Sequence, residues 1–224
     1  MKVLVVGSTG GSGRAAVAHL RAEGHEVTAF SRKAGVTLRA DERLHAVSGD
    51  VMNRADVERA VKGQDAVIVT LGIAENPFRV RILGPASTPA DVRSKGTKNV
   101  ISAMQQHGVR RLVVQTSYGV GETRGRLGLV DAAFFALVLK PQIADTETQN
   151  EAVVASDLDW VIVQPVHLTD GAEDAMPFIS TEGETGRMKV SRNSVGRFLA
   201  HAVASNAFVR KSVALSGVRA PVAT

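Results

Sequence analysis

The stretch "KVLVVGSTGGSGRAA" (2–16) constrains this chain more than any other. Its short β-branched run reads as a buried strand. The segment "SGRAAVAHLRAEG" (12–24) behind it has apolar residues at helical spacing and stops on Gly24. Between them Gly7, Gly10 and Gly13 spell G-x-x-G-x-x-G. A strand that turns at once into a helix needs positions without a side chain, both for the turn and for close packing of helix on strand. The same turn brings unpaired N–H groups and the positive end of a helix dipole to one point, which suits a phosphate. Three glycines alone also fit a plain turn. A strand before them and a helix after them are the context that a phosphate grip requires.

Strand-length apolar runs alternate with helix-like segments along the rest of the chain. Strands are expected at 26–32, 44–50, 65–72, 110–117, 158–165, 187–191 and 211–217, and helices at 54–63, 91–108, 128–139, 142–156 and 192–204. This alternation predicts an α/β fold of Rossmann type, a doubly wound, mostly parallel sheet with helices on both faces. The 224 residues fit one domain over 1–224, with a small substrate-side region formed by loops 73–91, 118–130 and 166–190. Ligands of such sheets bind beyond the carboxyl ends of the strands. The residues that follow each strand are therefore expected in one crevice: Gly7 to Gly13, Ser31 to Lys33, Asp50 and Val51, Leu71 and Gly72, Ser117 and Tyr118, and Pro165 to His167.

Composition removes other classes. With no cysteine, disulfides, thiolate catalysis and Cys-based zinc sites are excluded. The six histidines are scattered without H-E-x-x-H, so no metal site is expected. "QTSYG" has Gln115 where a hydrolase elbow needs glycine. The net charge of +5 comes without a run of five basic residues, and aromatics are 4%, which argues against a nucleic-acid platform. "VLVV" is too short for the apolar part of a secretory signal, and "LGLVDAAFFALVL" (127–139) is too short to span a bilayer. The expected partner is a small-molecule acceptor, with no nucleic acid and no membrane, for a cytoplasmic monomer or homodimer.

The strand ends point to a cofactor. Backbone groups of Gly11 and Ser12 and the hydroxyls of Thr9 and Ser12 can donate to a pyrophosphate. A site for NAD usually has a carboxylate at the end of the second strand for the ribose 2′-OH. This chain has Ser31-Arg32-Lys33 instead. Two cations suit a 2′-phosphate, which arginine can grip with two parallel bonds. NADP(H) is therefore expected over NAD(H). Arg14 can stack on the adenine or reach the same phosphate. Asp50 can accept from the adenine amino group while Val51 packs on the ring. Gly72 lets the chain after Leu71 pass close to a ribose.

Together "GSTGGSGR", "SRK", "GDV", "GTKNVISAM", "VVQTS", "SDLDWVIVQP" with "LTDG", and "VSRNSVGRFLAHAV" resemble the atypical short-chain dehydrogenase/reductase family. The likeness is to its NAD(P)H-binding branch, with flavin and biliverdin-IXβ reductases and NmrA-like proteins, and it spans nearly the whole chain. It implies that the nicotinamide lies between Ser117 and Tyr118 on one side and Gln164, Pro165, Val166 and His167 on the other. Members include reductases, epimerase-like enzymes and cofactor-sensing regulators.

The chain departs from the alcohol-oxidising members, which use a Tyr-x-x-x-Lys pair. Its single tyrosine is Tyr118, and Glu122 stands four residues on. Many small members have a lysine in the helix before the sixth strand, where "ADTETQNE" has Thr146. A reductase of a flavin, quinone or similar planar or carbonyl acceptor needs no such pair, because hydride transfer mainly requires alignment over the nicotinamide. The candidate catalytic residues are Ser117, to bond the acceptor or the carboxamide, His167, to donate a proton near neutral pH, and Tyr118, more a wall than an acid. The alternatives are a non-catalytic NADP(H)-sensing protein and, more weakly, an epimerase-like enzyme. "DTETQNE" is expected to be a solvated helix face.

Overall fold

The computed structural model describes residues 1–72, 88–128 and 140–218. Its elements in chain order are β1 (Lys2–Val6), α1 (Gly11–Ala22), β2 (Glu26–Ser31), α2 (Ala34–Thr37), β3 (Leu44–Ser48), α3 (Arg54–Val61), β4 (Ala66–Val69), α4 (Val92–His107), β5 (Arg111–Gln115), α5 (Lys140–Val154), β6 (Asp159–Pro165), β7 (His167–Thr169), β8 (Phe178–Ser180), β9 (Lys189–Ser191), α6 (Arg192–Ala204) and β10 (Lys211–Ser216). A single 3₁₀ turn spans Gly121–Thr123.

Eight strands form the main sheet in the order β3-β2-β1-β4-β5-β6-β10-β8. Every pairing is parallel except β10 with β8. The order runs outward in both directions from β1 and β4, so their carboxyl ends mark the switch point where ligands bind. Val3 to Val6 and Ala66 to Val69 are buried on both faces, as continuous apolar runs of a covered parallel sheet should be. Two cores result. One packs β-strand residues such as Val5, Ile68 and Val163 under α1 and α6. The other packs Leu4, Val67, Leu112 and Trp160 against α3, α4 and Val153 of α5.

Glycines close several helices as expected. Gly24, Gly63 and Gly108 all take positive φ, a conformation that costs glycine nothing. A close approach explains Gly196 of α6, where a Cβ would lie 2.4 Å from the Cβ of Ala15 and 2.6 Å from its carbonyl carbon. This brings α6 into backbone contact with the first turn of α1.

The structure adds three elements that have no periodic signal. These are the four-residue α2, β7, and β8, the antiparallel edge strand. The strand expected near 187–191 is β9, and it leaves the main sheet to pair in parallel with β7. The helix expected at 128–139, apart from Gly128, and most of the loop 73–91 lie outside the described residues.

The expectation that "DTETQNE" is solvated is overturned. Asp145, Thr146, Gln149 and Asn150 are buried on the inner face of α5. Buried polar groups must find partners, and two do so across the helix pair. The Asp145 carboxylate accepts the N–H groups of Arg93 (3.0 Å) and Ser94 (3.1 Å), and Gln149 donates to Thr97 (2.9 Å).

Candidate cofactor and acceptor site

The glycine turn sits at the switch point. Gly7 has φ +84, and a Cβ there would lie 2.7 Å from the Thr70 carbonyl oxygen. A Cβ on Gly13 would lie 2.3 Å from the Gly7 carbonyl oxygen. Both positions therefore exclude any side chain. Gly10 donates to the Gly7 carbonyl at 3.0 Å, and the first bond of α1 runs from Arg14 to the Gly10 carbonyl at 2.8 Å. The N–H groups of Gly11, Ser12 and Gly13 precede any intrahelical acceptor. No side chain caps them, and no acid occupies the first turn. A pyrophosphate fits this turn, since bare backbone and open donors are what it binds.

A cleft of ≈ 280 Å³ opens over the same edge. It is lined by Gly7, Thr9 and Gly10, by Ser31, Arg32 and Lys33, by Asp50 and Val51, and by Leu71 and Gly72. The structure thus brings the first four expected strand-end groups into one concavity. Thr9 donates to the Ser31 hydroxyl at 3.2 Å, tying the glycine turn to the end of β2. Arg32 reaches across to the Thr88 hydroxyl at 3.1 Å. The turn after β3 is built by its own carboxylates. Asp50 Oδ1 accepts from Met52 N–H (2.9 Å), and Asp56 accepts the Asp50 N–H (2.9 Å). That bond, with the Arg59 guanidinium beside it, holds the Asp56 carboxyl below its ordinary range. Gly49 leaves room for the Phe30 ring, which a Cβ would meet at 2.5 Å.

Gly11, Ser12, Gly13 and Arg14 stand beside the cleft in the first turn of α1. Ser12 and Gly13 are buried and Arg14 is exposed. Thr70 and Val92 also line the cleft and were missed by sequence reasoning, while Thr88 and Pro89, in the loop expected on the substrate side, line this cleft as well. Thr70 donates to the carbonyls of Val6 (3.1 Å) and Gly7 (3.3 Å), so it fixes the turn itself. Its place just before Leu71 at a strand end was the available signal. Arg93 was missed as well. It donates from Nη1 to the Leu71 carbonyl at 2.7 Å and packs on Gly72. Burial lowers the pKa of this guanidinium, and the nearby Asp145 charge opposes that shift.

The second group of expected residues lies apart from this cleft, at the ends of β5 and β6. Ser117 is half-buried, and its hydroxyl donates to the Tyr118 carbonyl at 3.3 Å. Tyr118 is 4% exposed, and its hydroxyl donates to the Gly183 carbonyl at 2.9 Å. Gln164 is fully buried and donates to the Val120 carbonyl at 2.7 Å. The Pro165 carbonyl accepts from Tyr118 N–H, and Val166 is buried with its N–H on Leu215. His167 is exposed and begins β7. Of this group only Tyr118 lines a second cavity of ≈ 700 Å³, together with Arg126, Phe178, Val218 and the turn from Gly183 to Gly186. The Thr146 hydroxyl is turned back onto the Gln142 carbonyl of its own helix at 2.7 Å. Among the described residues no cluster of His, Asp and Glu is arranged to hold a metal ion, and no helix is long and apolar enough to cross a membrane.

A cleft over an open glycine turn at the switch point of a parallel sheet is where Rossmann-type proteins bind nucleotides. More narrowly, the chain belongs to the NAD(P)H-binding family, whose model matches residues 7–206. It is 36% identical over 126 residues to a 3-beta-hydroxysteroid dehydrogenase of Mycolicibacterium neoaurum, a match that covers 53% of this chain and 32% of that protein. The chain spans only about a third of the length of such curated relatives. Among solved structures it is similar to ChuY, an anaerobillin reductase of Escherichia coli (TM-score 0.78, 20% identity, 100% of both chains). It is also similar to a short-chain dehydrogenase/reductase of Veillonella parvula in complex with NADP (TM-score 0.75, 16% identity, 96% of this chain and 94% of that one). The fold is thus the Rossmann-type α/β fold that these structures share, and oxidoreductases are prominent among the relatives.

Proposed function

We propose that the protein is an NADPH-dependent reductase that passes hydride to a small planar or carbonyl acceptor without a Tyr-Lys pair. The observation that carries the cofactor half is the pair Arg32 and Lys33 at the end of β2, lining the cleft where an NAD site would have a carboxylate. The nicotinamide ring supplies the hydride when bound. The protein's part is to grip the pyrophosphate at the α1 turn, hold the 2′-phosphate with Arg32 and Lys33, and orient the acceptor. The cavity beside Tyr118 and Phe178 is where we place that acceptor, since an aromatic-lined space at the ends of β5 and β10 suits a flat molecule. Ser117 is the hydroxyl we assign to the acceptor or the carboxamide, and His167 the proton source. Tyr118 serves as a wall anchored through Gly183, because its proton is already donated there. A small-molecule partner and a cytoplasmic monomer or homodimer complete the reading.

Titration with both cofactors tests the first half. We expect NADPH to bind more tightly than NADH, and Arg32→Ala to weaken NADPH about tenfold while leaving NADH nearly unchanged, the loss of one charge-assisted contact. Equal affinity for the two cofactors in the unaltered protein would remove the preference. Loss of nicotinamide absorbance with flavin, quinone and dye acceptors tests the second half.

One observation favours a second reading, a non-catalytic NADP(H) sensor. The hydroxyls of both Tyr118 and Thr146 are engaged by backbone carbonyls. Tight NADPH binding with no turnover on any acceptor would select the sensor.

A further inference from the structure

The first turn of α1 has a neighbour that the glycine motif does not announce. Gly11 opens the helix, and a Cβ there would lie 2.3 Å from Cδ of Arg192 and 3.1 Å from its Nε. The stem of Arg192, the first residue of α6, therefore lies across Gly11 in the space that a side chain at position 11 would fill. Backbone contact at Gly196 and Ala15 fixes this crossing of the two helices. At the far end, the guanidinium is bound to Asp170 at 2.7 Å, in the segment after β7. The arginine side chain is 33% exposed and the aspartate 87% exposed. An ion pair so open to water gains little from its attraction. The N–H groups of Gly11, Ser12 and Gly13 beside it lack any acid in the first turn.

We infer that Arg192 is a cofactor-binding residue, whose guanidinium leaves Asp170 and closes on the pyrophosphate at the first turn of α1. The exchange replaces a weak exposed partner with a dianion already held by backbone donors, and arginine suits such a group because it can pair with two oxygens at once. It also releases Asp170, so cofactor binding frees one tether of the segment 170–174 on the acceptor side. Other tethers remain, among them Arg187 to Glu173, Arg197 and His19 to Asp174, and the Ser191 and Ser194 hydroxyls to the Glu173 carbonyl. The inference rests on the family's NAD(P)H binding and on neither the NADPH preference nor the acceptor.

The test is a binding titration with NADPH, NADH and ADP, which share only the adenosine diphosphate. Arg192→Met is expected to weaken all three by the same factor, about tenfold, whereas Arg32→Ala weakens NADPH alone. Asp170→Asn removes the competitor and is expected to tighten all three about two- to threefold. Unchanged binding in Arg192→Met, or weakening in Asp170→Asn equal to that of Arg192→Met, overturns the inference. Failure of the unaltered protein to bind any of the three overturns the cofactor reading with it. If Arg192→Met loses its far-UV spectrum, the Asp170→Asn arm decides alone, since it leaves the arginine in place.

Discussion

Helices α1 and α6 pack side by side on one face of the sheet, and their N-termini are built in opposite ways. α6 is capped by its own sequence: Ser191 accepts the Ser194 N–H at 2.9 Å, and its hydroxyl donates to the Glu173 carbonyl. α1 has Gly10 at the same place, in the extended conformation that a capping residue adopts, but with no side chain to cap anything. A third helix, α4, takes its cap from another element, since Asp91 makes no cap bond and Asp145 of α5 supplies the carboxylate. A helix end that serves only stability is closed from within or from a neighbour. One that serves a ligand is left open, and the stability it forgoes is the room it keeps for a phosphate.

Giving α1 a cap breaks the contrast most sharply. Gly10→Asp has space, since the nearest obstacle to a Cβ is the Gly7 carbonyl at 3.4 Å. The carboxylate would fill the open donors, adding about 0.5 kcal/mol of stability while repelling a phosphate. NADPH affinity is expected to fall about 100-fold, read by titration beside a thermal melt. Loss of binding together with loss of stability would deny that the end is kept open for a ligand.

Removing the borrowed cap comes next. Asp145→Asn takes the charge from two N–H groups and from Arg93, and is expected to cost about 2 kcal/mol in urea unfolding. Arg93 holds the Leu71 carbonyl, so this variant should also weaken cofactor binding through the β4 end. Ser191→Ala sharpens the comparison from the other side. It should cost about 1 kcal/mol with NADPH binding unchanged.

The smallest effect is electrostatic. The bond from Arg197, with His19 beside it, holds the Asp174 carboxyl below its ordinary value of 3.8. A depressed carboxylate contributes stability above its unfolded pKa and loses it as pH falls through the folded value. Asp174→Asn should therefore lower stability slightly above about pH 4 and flatten its decline below, as followed by acid titration of the melt.

The sequence carried the sheet and the grouping of the strand ends that line the first cleft. "KVLVV", "DAVIVTLG" and "DWVIVQP" are continuous apolar runs, and periods of two or three and a half residues are local properties that any buried strand or helix must show. The groups at Gly7, Arg32, Asp50 and Leu71 could be placed together because a parallel sheet sends every strand end to the same edge. Local pattern has nothing to say about side chains that meet across long separations. Asp145 reads as a solvated acid until α5 packs on α4 and turns it to a helix end fifty residues away in the chain. Thr88 and Val92 likewise become part of the cleft only through tertiary packing. Tyr118 reads as more a wall than an acid, but only the turn at Gly183, folding over it, supplies the carbonyl that accepts its hydroxyl. Gly11 reads only as a backbone donor of the glycine turn until α6 lays Arg192 across it. Each of these meetings depends on helix packing and loop closure, whose partners are specified by shape and burial in three dimensions rather than by any spacing along the chain.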